Sequence, residues 1–376
     1  MQNYPVELLQ SMLKIYSPSG SEKQLADFLL EHMVARGFKA SKDDVGNVIG
    51  QLGTEGPRIL LCGHMDTVPG EIPIRHEDDL LYGRGSVDAK SSLAAMIAGS
   101  YLVMQRSSAP IRVTVAGVVE EEASSRGAHA LISSGISYDL AVFGEPSGAS
   151  NITIGYKGGV KLQVTFATSG GHSASPWVSK NSYEEAFMFW KAFKESLIDN
   201  DSPSKFSSIT GCVTTAVAGD STSNIPSQAR LIIDLRIPPS IKTADMINRA
   251  EEFTGHYRKN LGGVRVEIKV NDQTEAYLAQ EDSIAVRAFR WAIRNTMNCP
   301  VTLVKKTGTS DMNLFAQSTS MPMIAYGPGD SSLDHTENEH ISIREYLSSV
   351  EIYASAIQHI ASLAQKENSP SNVRKI

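Results

Sequence analysis

The sequence predicts an α/β fold in which a mainly parallel sheet forms a large domain that carries an inserted ferredoxin-like α+β domain. Short apolar runs alternate with helical segments in both terminal parts of the chain, as is typical of strands in such a sheet. The middle of the chain instead has alternating strands and helices in the order β-α-β-β-α-β. A length of 376 residues suffices for two domains.

The large domain is predicted from its helices and buried strands. Residues 5–15 and 24–35 carry apolar side chains at helical spacing, and the second helix ends at Gly37. Another helical segment spans Ala89–Met104. The apolar runs that predict buried strands are Ile59–Cys62, Val113–Val119, Leu140–Phe143 and Met323–Tyr326. Each run ends in a polar loop that contains glycine.

The inserted domain is predicted at residues 158–270, which leaves residues 1–157 and 271–376 to the large domain. Its predicted strands are Val160–Ala167, Val213–Ala218, Arg230–Ile237 and Val264–Val270, and its predicted helices are Tyr183–Leu197 and Thr243–Lys259. The polar C-terminal segment KENSPSNVRKI is expected to be frayed or disordered.

The composition excludes several classes of protein. A net charge of −6 without a basic run argues against nucleic acid as a partner. Cys62, Cys212 and Cys299 are too far apart for a thiolate zinc motif and predict no disulfide framework. The N-terminal segment does not resemble a signal peptide, and no apolar stretch approaches the ~18 residues of a membrane span. A cytoplasmic protein without a membrane partner is expected.

Histidines and acidic residues follow several of the predicted strands. His64 comes directly after an apolar run in ILLCGHMDTVP, and Asp66 stands where it can fix the tautomer of a metal-binding imidazole. Asp88 lies where a Gly-rich turn meets a helix, and glutamates occupy all of positions 120–122 at a strand end. Each feature also has a structural explanation. His64 and Asp66 can form a plain hydrogen-bonded pair, Asp88 can stabilise a helix dipole, and the three glutamates can form a solvated turn.

Together the strand ends favour a metal site, because crowded carboxylates repel one another unless a cation compensates them. Further polar residues follow later apolar runs, at the carboxyl ends of strands where open α/β sheets build their sites. The candidate ligands are His64, Asp88, Glu122, Glu145 and His335. Two imidazoles and three carboxylates suit zinc or cobalt better than calcium, and one bridging carboxylate would create two sites with three protein ligands each.

These residues lie in motifs that resemble the metallopeptidase family of aminoacylases, acetylornithine deacetylase, succinyl-diaminopimelate desuccinylase and glutamate carboxypeptidase. The motifs follow the family order over nearly the whole chain: GHMDTVP, GRGSVDAK, EEExxxxGA, GEPS, GGHSASP, SNIPSQARLIIDLR, GTSD and HTENE. The resemblance implies a hydrolase of amide bonds with two divalent ions, zinc or cobalt. It also implies that the inserted domain is a lid through which the chain forms a homodimer.

The resemblance assigns a role to each candidate ligand. His64 and Glu145 would hold one ion, Glu122 and His335 would hold the other, and Asp88 would bridge the two.

Other residues would act on the water and the substrate. Asp66 would orient His64 and Glu121 would be the general base, while Glu120 stands where many relatives have Asp. From the lid, His172 would reach into the partner subunit's site as an oxyanion donor, or it would only cap a Gly-rich turn.

The resemblance also implies a site for the substrate's carboxylate. Asn224 and Arg236 would grip this group, although Arg236 can equally be a surface residue. Thr309 and Ser310 would present hydroxyls and a helix N-terminus to an anion, or Ser310 would be a plain N-cap.

GEPSGASNITIGYKGG, KKTGTSDMNLFA and AYGPGDSSLDH are most similar to the branch that acts in the amino-group-carrier route of lysine and arginine biosynthesis. This implies release of lysine or ornithine from the γ-carboxyl of the glutamate that ends a small acidic carrier protein. Lys305 and Lys306 would help to dock that carrier, or they are simply solvated.

Three alternatives to this activity stay open. The first is deacetylation of acetyl-lysine or acetylornithine or desuccinylation of succinyl-diaminopimelate, and the second is a carboxypeptidase or dipeptidase. The third is a metal-binding protein without catalysis. Glu121 argues against the third, because a structural site needs no spare carboxylate beside its ligands.

Overall fold

The structure is a computed structural model that describes residues 4–219, 222–259 and 261–367. The C-terminal segment that was predicted to be disordered lies outside the described residues from position 368 on. The helices are α1 Tyr4–Leu13, α2 Lys23–Ala35, α3 Lys90–Arg106, α4 Arg126–Ser133, α5 Ser182–Leu197, α6 Thr243–Lys259, α7 Ile284–Met297, α8 Asp311–Ser318 and α9 Ile343–Glu367.

The strands in the first part of the chain are β1 Lys39–Lys42, β2 Val48–Leu52, β3 Arg58–His64, β4 Arg75–Glu77, β5 Leu80–Tyr82, β6 Arg112–Val118, β7 Leu140–Phe143, β8 Asn151–Tyr156 and β9 Gly158–Ala167. Those that follow are β10 Gly171–His172, β11 Thr210–Ala218, β12 Asn224–Ile225, β13 Gln228–Ile237, β14 Arg265–Thr274, β15 Tyr277–Leu278, β16 Thr302–Lys306, β17 Met323–Ala325 and β18 His340–Ser342. No helix of the described ranges is long and apolar enough to cross a membrane.

The chain packs into two compact units. The first comprises Met1–Ile154, Ala279–Val304 and Leu314–Ile376, and the second comprises Gly155–Leu278 and Lys305–Asn313. The second unit thus includes a short segment, Lys305–Asn313, outside the range of the predicted insertion. Hydrogen bonds explain this membership: the main-chain N–H of Lys157 donates to the Lys306 carbonyl, and the amide of Asn313 donates to the carbonyls of Lys157 and Glu275.

The first unit is built on a sheet with the strand order β1-β2-β6-β3-β7-β17-β8. Strands β6, β3, β7 and β17 form its parallel centre. Strands β1, β2 and β8 pair antiparallel at its two sides. The predicted α/β fold is confirmed, and the sheet is mixed at its edges because an apolar run does not specify the direction of a strand.

Helix α3 fixes the end of the loop that precedes it, because almost its whole length is buried. It packs against α9, and this close approach requires Gly99. A Cβ atom at Gly99 would lie 2.6 Å from the Tyr353 Cβ and 2.9 Å from the Val350 carbonyl oxygen. The helix therefore provides a rigid base for the residues just before Lys90.

The second unit has the predicted ferredoxin-like order. Its antiparallel sheet runs β11-β13-β9-β14, and helices α5 and α6 contact one face of it. Their shared core includes Val160, Phe166, Phe189, Ile233 and Met246. A separate ribbon pairs β10 with β12.

Candidate metal centre

The parallel strands deliver candidate ligands to one edge of the sheet. His64 is the last residue of β3. Cys62 of β3 is in register with Phe143 of the neighbouring strand β7. His64 lies two residues after Cys62 and Glu145 lies two residues after Phe143, so both come at the same level of the sheet. Glu122 follows β6 on the other side of β3. The carboxyl ends of three adjacent strands thus carry an imidazole and two carboxylates.

Asp88 lies between two imidazoles. The His64 Nε2 atom is 3.2 Å from one carboxylate oxygen of Asp88, and the His335 Nε2 atom is 3.2 Å from the other. His335 Nε2 also lies 2.9 Å from a carboxylate oxygen of Glu122. Ligand atoms of His64, Asp88 and Glu122 lie within 4.8 Å of one another. This arrangement fits a bridging carboxylate with a separate imidazole at each of its oxygens.

The electrostatics of the cluster fit a cation. Burial raises the pKa of Glu122, and the negative charge of Asp88 raises it further. Burial also opposes ionisation of Asp88, but the hydrogen bonds from His335 and His64 outweigh it and lower the pKa of Asp88. The bond to Asp88 raises the pKa of His335 to about 9, against the opposing effect of burial. Positive charge beside these carboxylates thus favours their ionised forms, which is the effect that a bound cation would have.

Asp66 is fully buried and organises the loop after β6. Its main-chain carbonyl is 2.8 Å from the His64 Nδ1 atom, whereas its carboxylate is 3.5 Å away. The two carboxylate oxygens accept the main-chain N–H groups of Glu121 and Glu122, each at 3.0 Å. The Ser19 hydroxyl donates to the same carboxylate at 2.7 Å. Asp66 therefore fixes both His64 and the backbone of the two glutamates.

Glu22 extends this arrangement by one residue. Its buried carboxylate accepts the main-chain N–H groups of Gly20 at 2.9 Å and Glu120 at 3.1 Å. Glu120 itself has a left-handed backbone with φ of 59°, and its side chain pairs with Arg126 at 2.7 Å. Three successive amides, at positions 120 to 122, are thus held by buried carboxylates. Nothing in the local sequence around Glu22 indicates this contact.

The loop that carries Glu145 packs tightly against the segment after β17. The main-chain N–H of Ser147 donates to the Gly327 carbonyl at 3.1 Å, and the Gly327 N–H donates to the Ser147 hydroxyl at 3.2 Å. A Cβ atom at Gly327 would lie 2.8 Å from the Glu145 carbonyl oxygen and would overlap the Ser92 hydroxyl. Only glycine permits this approach.

Gly327→Ala is therefore expected to lower stability by about 1–3 kcal/mol, because the added methyl group forces the Glu145 loop or Ser92 aside. Thermal unfolding of the purified variant measures this loss. The control is Gly255→Ala in helix α6, where a Cβ would meet no atom of the described chain within 4 Å. Alanine there is expected to be neutral or to stabilise by up to ~1 kcal/mol. Equal melting temperatures for the two variants would contradict the predicted clash.

Glu339 and Arg84 are buried near the centre, and the sequence patterns assigned them no role. Glu339 accepts main-chain N–H groups of Gly85, Val87 and Asp88 at 2.8 to 3.0 Å. Arg84 pairs with it at 2.9 Å. Both lie in motifs of the sequence, GRGSVDAK and HTENE, but their partnership spans 255 positions of the chain, so no spacing rule predicts it.

The second unit brings two of the predicted lid residues together. His172 and Asn224 are direct cross-strand partners in the ribbon of β10 and β12. The Nδ1 atom of His172 accepts the main-chain N–H of Ala174 at 3.1 Å. A neutral imidazole with this contact carries its proton on Nε2 and is a donor there. The ring is exposed.

The predicted carboxylate-binding residues have partners within the second unit. Arg236 donates to both carboxylate oxygens of Asp234, at 2.9 and 3.0 Å, and its Nη1 atom is 3.5 Å from the Thr309 hydroxyl. The Ser310 hydroxyl accepts the Met312 N–H at 3.3 Å, as an N-cap does. The guanidinium of Arg236 is thus fixed by the ion pair with Asp234. The hydroxyl of Ser310 accepts a hydrogen bond at the N-terminus of helix α8.

Known proteins are similar to this chain in sequence and in fold. Residues 60–359 match peptidase family M20/M25/M40. The LysW-lysine hydrolase of Deinococcus radiodurans is 35% identical over 94% of this chain and 96% of its own length. The LysW-lysine/LysW-ornithine hydrolase of Sulfurisphaera tokodaii is 32% identical over 94% of this chain and 95% of its own length.

A solved structure has the same fold across almost the whole chain. The crystal structure of a tripeptidase from Staphylococcus aureus superposes with a TM-score of 0.82 and covers 96% of this chain and 99% of its own, at 18% identity. Together with the sequence match, this similarity identifies the chain as a member of peptidase family M20/M25/M40 and as a hydrolase of amide bonds.

Proposed function

We propose that this enzyme, in the cytoplasm, releases lysine or ornithine from the γ-glutamyl C-terminus of an amino-group carrier protein, and that it uses two divalent ions, zinc or cobalt. The observation that carries the metal-dependent chemistry is Asp88, whose two oxygens each face a different imidazole. The substrate class is supported by the names of the two relatives, which match over nearly their full lengths.

The ligand assignment follows the register of the sheet. His64 and Glu145 would hold one ion, because they follow adjacent strands at the same level. Glu122 and His335 would hold the other, because their ligand atoms are 2.9 Å apart, and Asp88 would bridge. Bound divalent ions supply Lewis acidity, which acidifies a water and polarises a carbonyl group.

Glu121 is proposed as the general base. Its main-chain N–H is fixed by Asp66 at 3.0 Å. Burial opposes ionisation of His64, but the hydrogen bonds to Asp66 and Asp88 raise its pKa, and the negative charge of Glu121 adds to this rise. The carboxylate therefore lies close to the ligands without being needed as one of them. It would accept a proton from the attacking water and return it to the amine of the departing lysine or ornithine.

His172 and the other lid residues would bind the substrate. The Nε2–H group of His172 would donate a hydrogen bond to the oxyanion of the tetrahedral intermediate, and this role requires the tautomer that the Ala174 contact selects. Asn224, opposite His172, would contact the same substrate. Arg236 would bind the α-carboxylate of the substrate, with Asp234 holding the guanidinium in place and with Thr309 and Ser310 beside it. A homodimer formed through the second unit would supply His172 to the partner subunit's site.

The test is release of free lysine or ornithine from the purified carrier conjugate. Acetyl-lysine, acetylornithine, succinyl-diaminopimelate and dipeptides serve as competing substrates at equal concentration. The conjugate is expected to have the highest kcat/KM. A small substrate that wins by orders of magnitude, with an untouched conjugate, would reassign the enzyme as a deacetylase, desuccinylase or peptidase.

Docking of the acidic carrier gives a second prediction. Lys305 is exposed at the end of β16 and Lys306 is half-buried beside it, so a contribution to docking would be electrostatic and screened over ~8 Å at physiological salt. The double substitution Lys305→Glu and Lys306→Glu is expected to lower kcat/KM for the conjugate more than for acetyl-lysine. Added salt is expected to have the same selective effect. The matched control reverses the exposed Lys191 and Lys194 of α5 instead. Equal losses in both double variants would exclude specific docking at Lys305 and Lys306.

A further inference from the structure

We infer that Glu339 is a positioning residue for the bridging carboxylate of Asp88 and for His335. This inference deepens the proposed function and rests on its metal centre. Glu339 acts on the backbone that presents Asp88 rather than on the imidazoles themselves. Together with Arg84 it connects that backbone to the segment after His335.

The Glu339 carboxylate accepts four hydrogen bonds. One oxygen accepts the N–H groups of Gly85 at 3.0 Å, Val87 at 2.8 Å and Asp88 at 3.0 Å. The other accepts from the Arg84 Nη1 atom at 2.9 Å. A carboxylate offers about four acceptor sites, two on each oxygen, so the three amides saturate one oxygen of Glu339 and Arg84 engages the other. Glu339 is therefore unsuited to be a metal ligand or a base, although it is an acidic residue in contact with the backbone of the candidate ligand Asp88.

Glu339 and Arg84 are both buried. Only 1% of Glu339 is exposed, and 8% of Arg84. A buried carboxylate without partners is strongly unfavourable, so its position is dictated by its four donors, and it constrains them in return. The three amides span the turn that ends at Asp88. Their common acceptor fixes the direction in which the Asp88 side chain leaves the backbone.

Arg84 links the turn at Asp88 to the segment after His335. Arg84 donates through Nη1 to the Thr336 carbonyl at 3.0 Å and through Nε to the Gly70 carbonyl at 2.9 Å. Thr336 directly follows His335, whose backbone is left-handed with φ of 62°. Such a conformation in a non-glycine residue persists only where its surroundings hold it. The pair of Arg84 and Glu339 thus clamps the segments that bring His335 Nε2 to 3.2 Å from Asp88.

The functional consequence is pre-organisation of the metal ligands. Partners that orient a ligand from behind change metal affinity or activity by typically ~10–100-fold when they are removed. In Glu339→Gln, the amide oxygen can still accept from the turn, but its NH₂ group then faces the Arg84 guanidinium, donor against donor. The turn is expected to shift, and the two Asp88 oxygens would no longer align with their imidazoles.

The experiment measures metal binding directly and needs no substrate. Zinc affinity of the metal-free full chain is determined by competition with a chromogenic chelator, and the absorption spectrum of the cobalt-loaded protein reports the geometry around the ion. Glu339→Gln is expected to bind zinc ~10–100-fold more weakly and to have an altered cobalt spectrum. Unchanged affinity with an unchanged spectrum would overturn the inference.

Two controls separate positioning from general destabilisation. Glu275→Gln makes the same change at a carboxylate that accepts the Thr243 N–H and hydroxyl in the second unit, at 3.2 and 2.7 Å. Ile357→Ala opens a cavity in the buried face of α9 and lowers the melting temperature without touching the centre. Both are expected to keep the wild-type zinc affinity and cobalt spectrum. A comparable loss of affinity in Ile357→Ala would attribute the effect of Glu339→Gln to stability alone.

A second variant serves if Glu339→Gln does not fold. Arg84→Lys keeps the positive charge and the three amide bonds, but a lysine cannot donate to Glu339, Thr336 and Gly70 together. It is expected to weaken zinc binding to a smaller extent, and wild-type affinity in this variant would overturn the inference. Failure of the wild-type enzyme on every carrier conjugate, with zinc bound normally, would reject the proposed substrate and leave the role of Glu339 standing.

Discussion

Glu121→Gln is expected to leave both metal ions bound and to lower kcat by at least ~10²–10⁴-fold, the usual contribution of general acid–base catalysis. The amide side chain of the variant can still accept and donate hydrogen bonds, but it cannot take the proton of the attacking water. The main-chain bond from residue 121 to Asp66, 3.0 Å long, does not depend on the side chain and is expected to persist. Metal content and turnover should therefore separate.

The matched control is Glu120→Gln at the preceding position. The Glu120 side chain pairs with Arg126 at 2.7 Å rather than with a candidate ligand. Its loss is expected to change kcat by only a few-fold. Metal content by elemental analysis and single-turnover rates are measured for both variants. Near-normal turnover in Glu121→Gln with two ions bound would remove Glu121 from the proposed mechanism.

Much of the fold was predictable because local patterns determine it. The apolar run Leu140–Phe143 is buried on both faces and forms β7 with the predicted bounds. Helix α6 likewise has the predicted bounds, Thr243–Lys259. Periodicity fails at the sides of the large sheet. Buried and half-buried residues alternate along strand β2, so it lacks the continuous apolar run by which the central strands were predicted. Its antiparallel pairing with β6 depends on a partner that is distant along the chain.

The candidate site was predictable where a polar residue directly follows a strand. His64, Glu122 and Glu145 are placed at the same edge of the sheet because they lie at or after the carboxyl ends of three adjacent parallel strands. The sequence could not show which atom of a residue acts. Asp66 was expected to orient His64, and its main-chain carbonyl is the nearer acceptor for the imidazole, while its carboxylate binds the amides of two glutamates.

Sequence patterns could not predict residues that act only by binding main-chain groups distant along the chain. Glu22 binds the amide of Glu120, 98 positions later, and Glu339 binds the amide of Asp88, 251 positions earlier. Neither contact leaves a periodic or spaced signal, since a main-chain N–H is present at almost every position. Only the folded backbone shows that these glutamates hold the turns on which the candidate ligands lie.

His172→Ala is expected to lower kcat by ~10²–10³-fold, as loss of one oxyanion donor does. The Nε2 donor is lost together with the ring, while the candidate metal ligands, which all lie in the first unit, are untouched. The matched control is His256→Ala, which removes an exposed imidazole from helix α6 of the same unit. Its activity is expected to equal that of the wild type.

In the proposed homodimer, mixed dimers decide whether His172 acts in its own subunit's site or in the partner's. A His172→Ala chain and a Glu121→Ala chain, each inactive alone, are refolded or co-expressed with different tags, and the mixed dimer is isolated by two affinity steps. If His172 acts across the interface, the site that retains Glu121 receives an intact His172 from the other chain, so one site in each mixed dimer works. About half of the wild-type activity per dimer is then expected. If His172 acts within its own subunit, every site lacks one of the two groups. A verified mixed dimer with no activity above that of its parents would therefore reject action in trans, and would leave the donor role of His172 to be judged from the single variant.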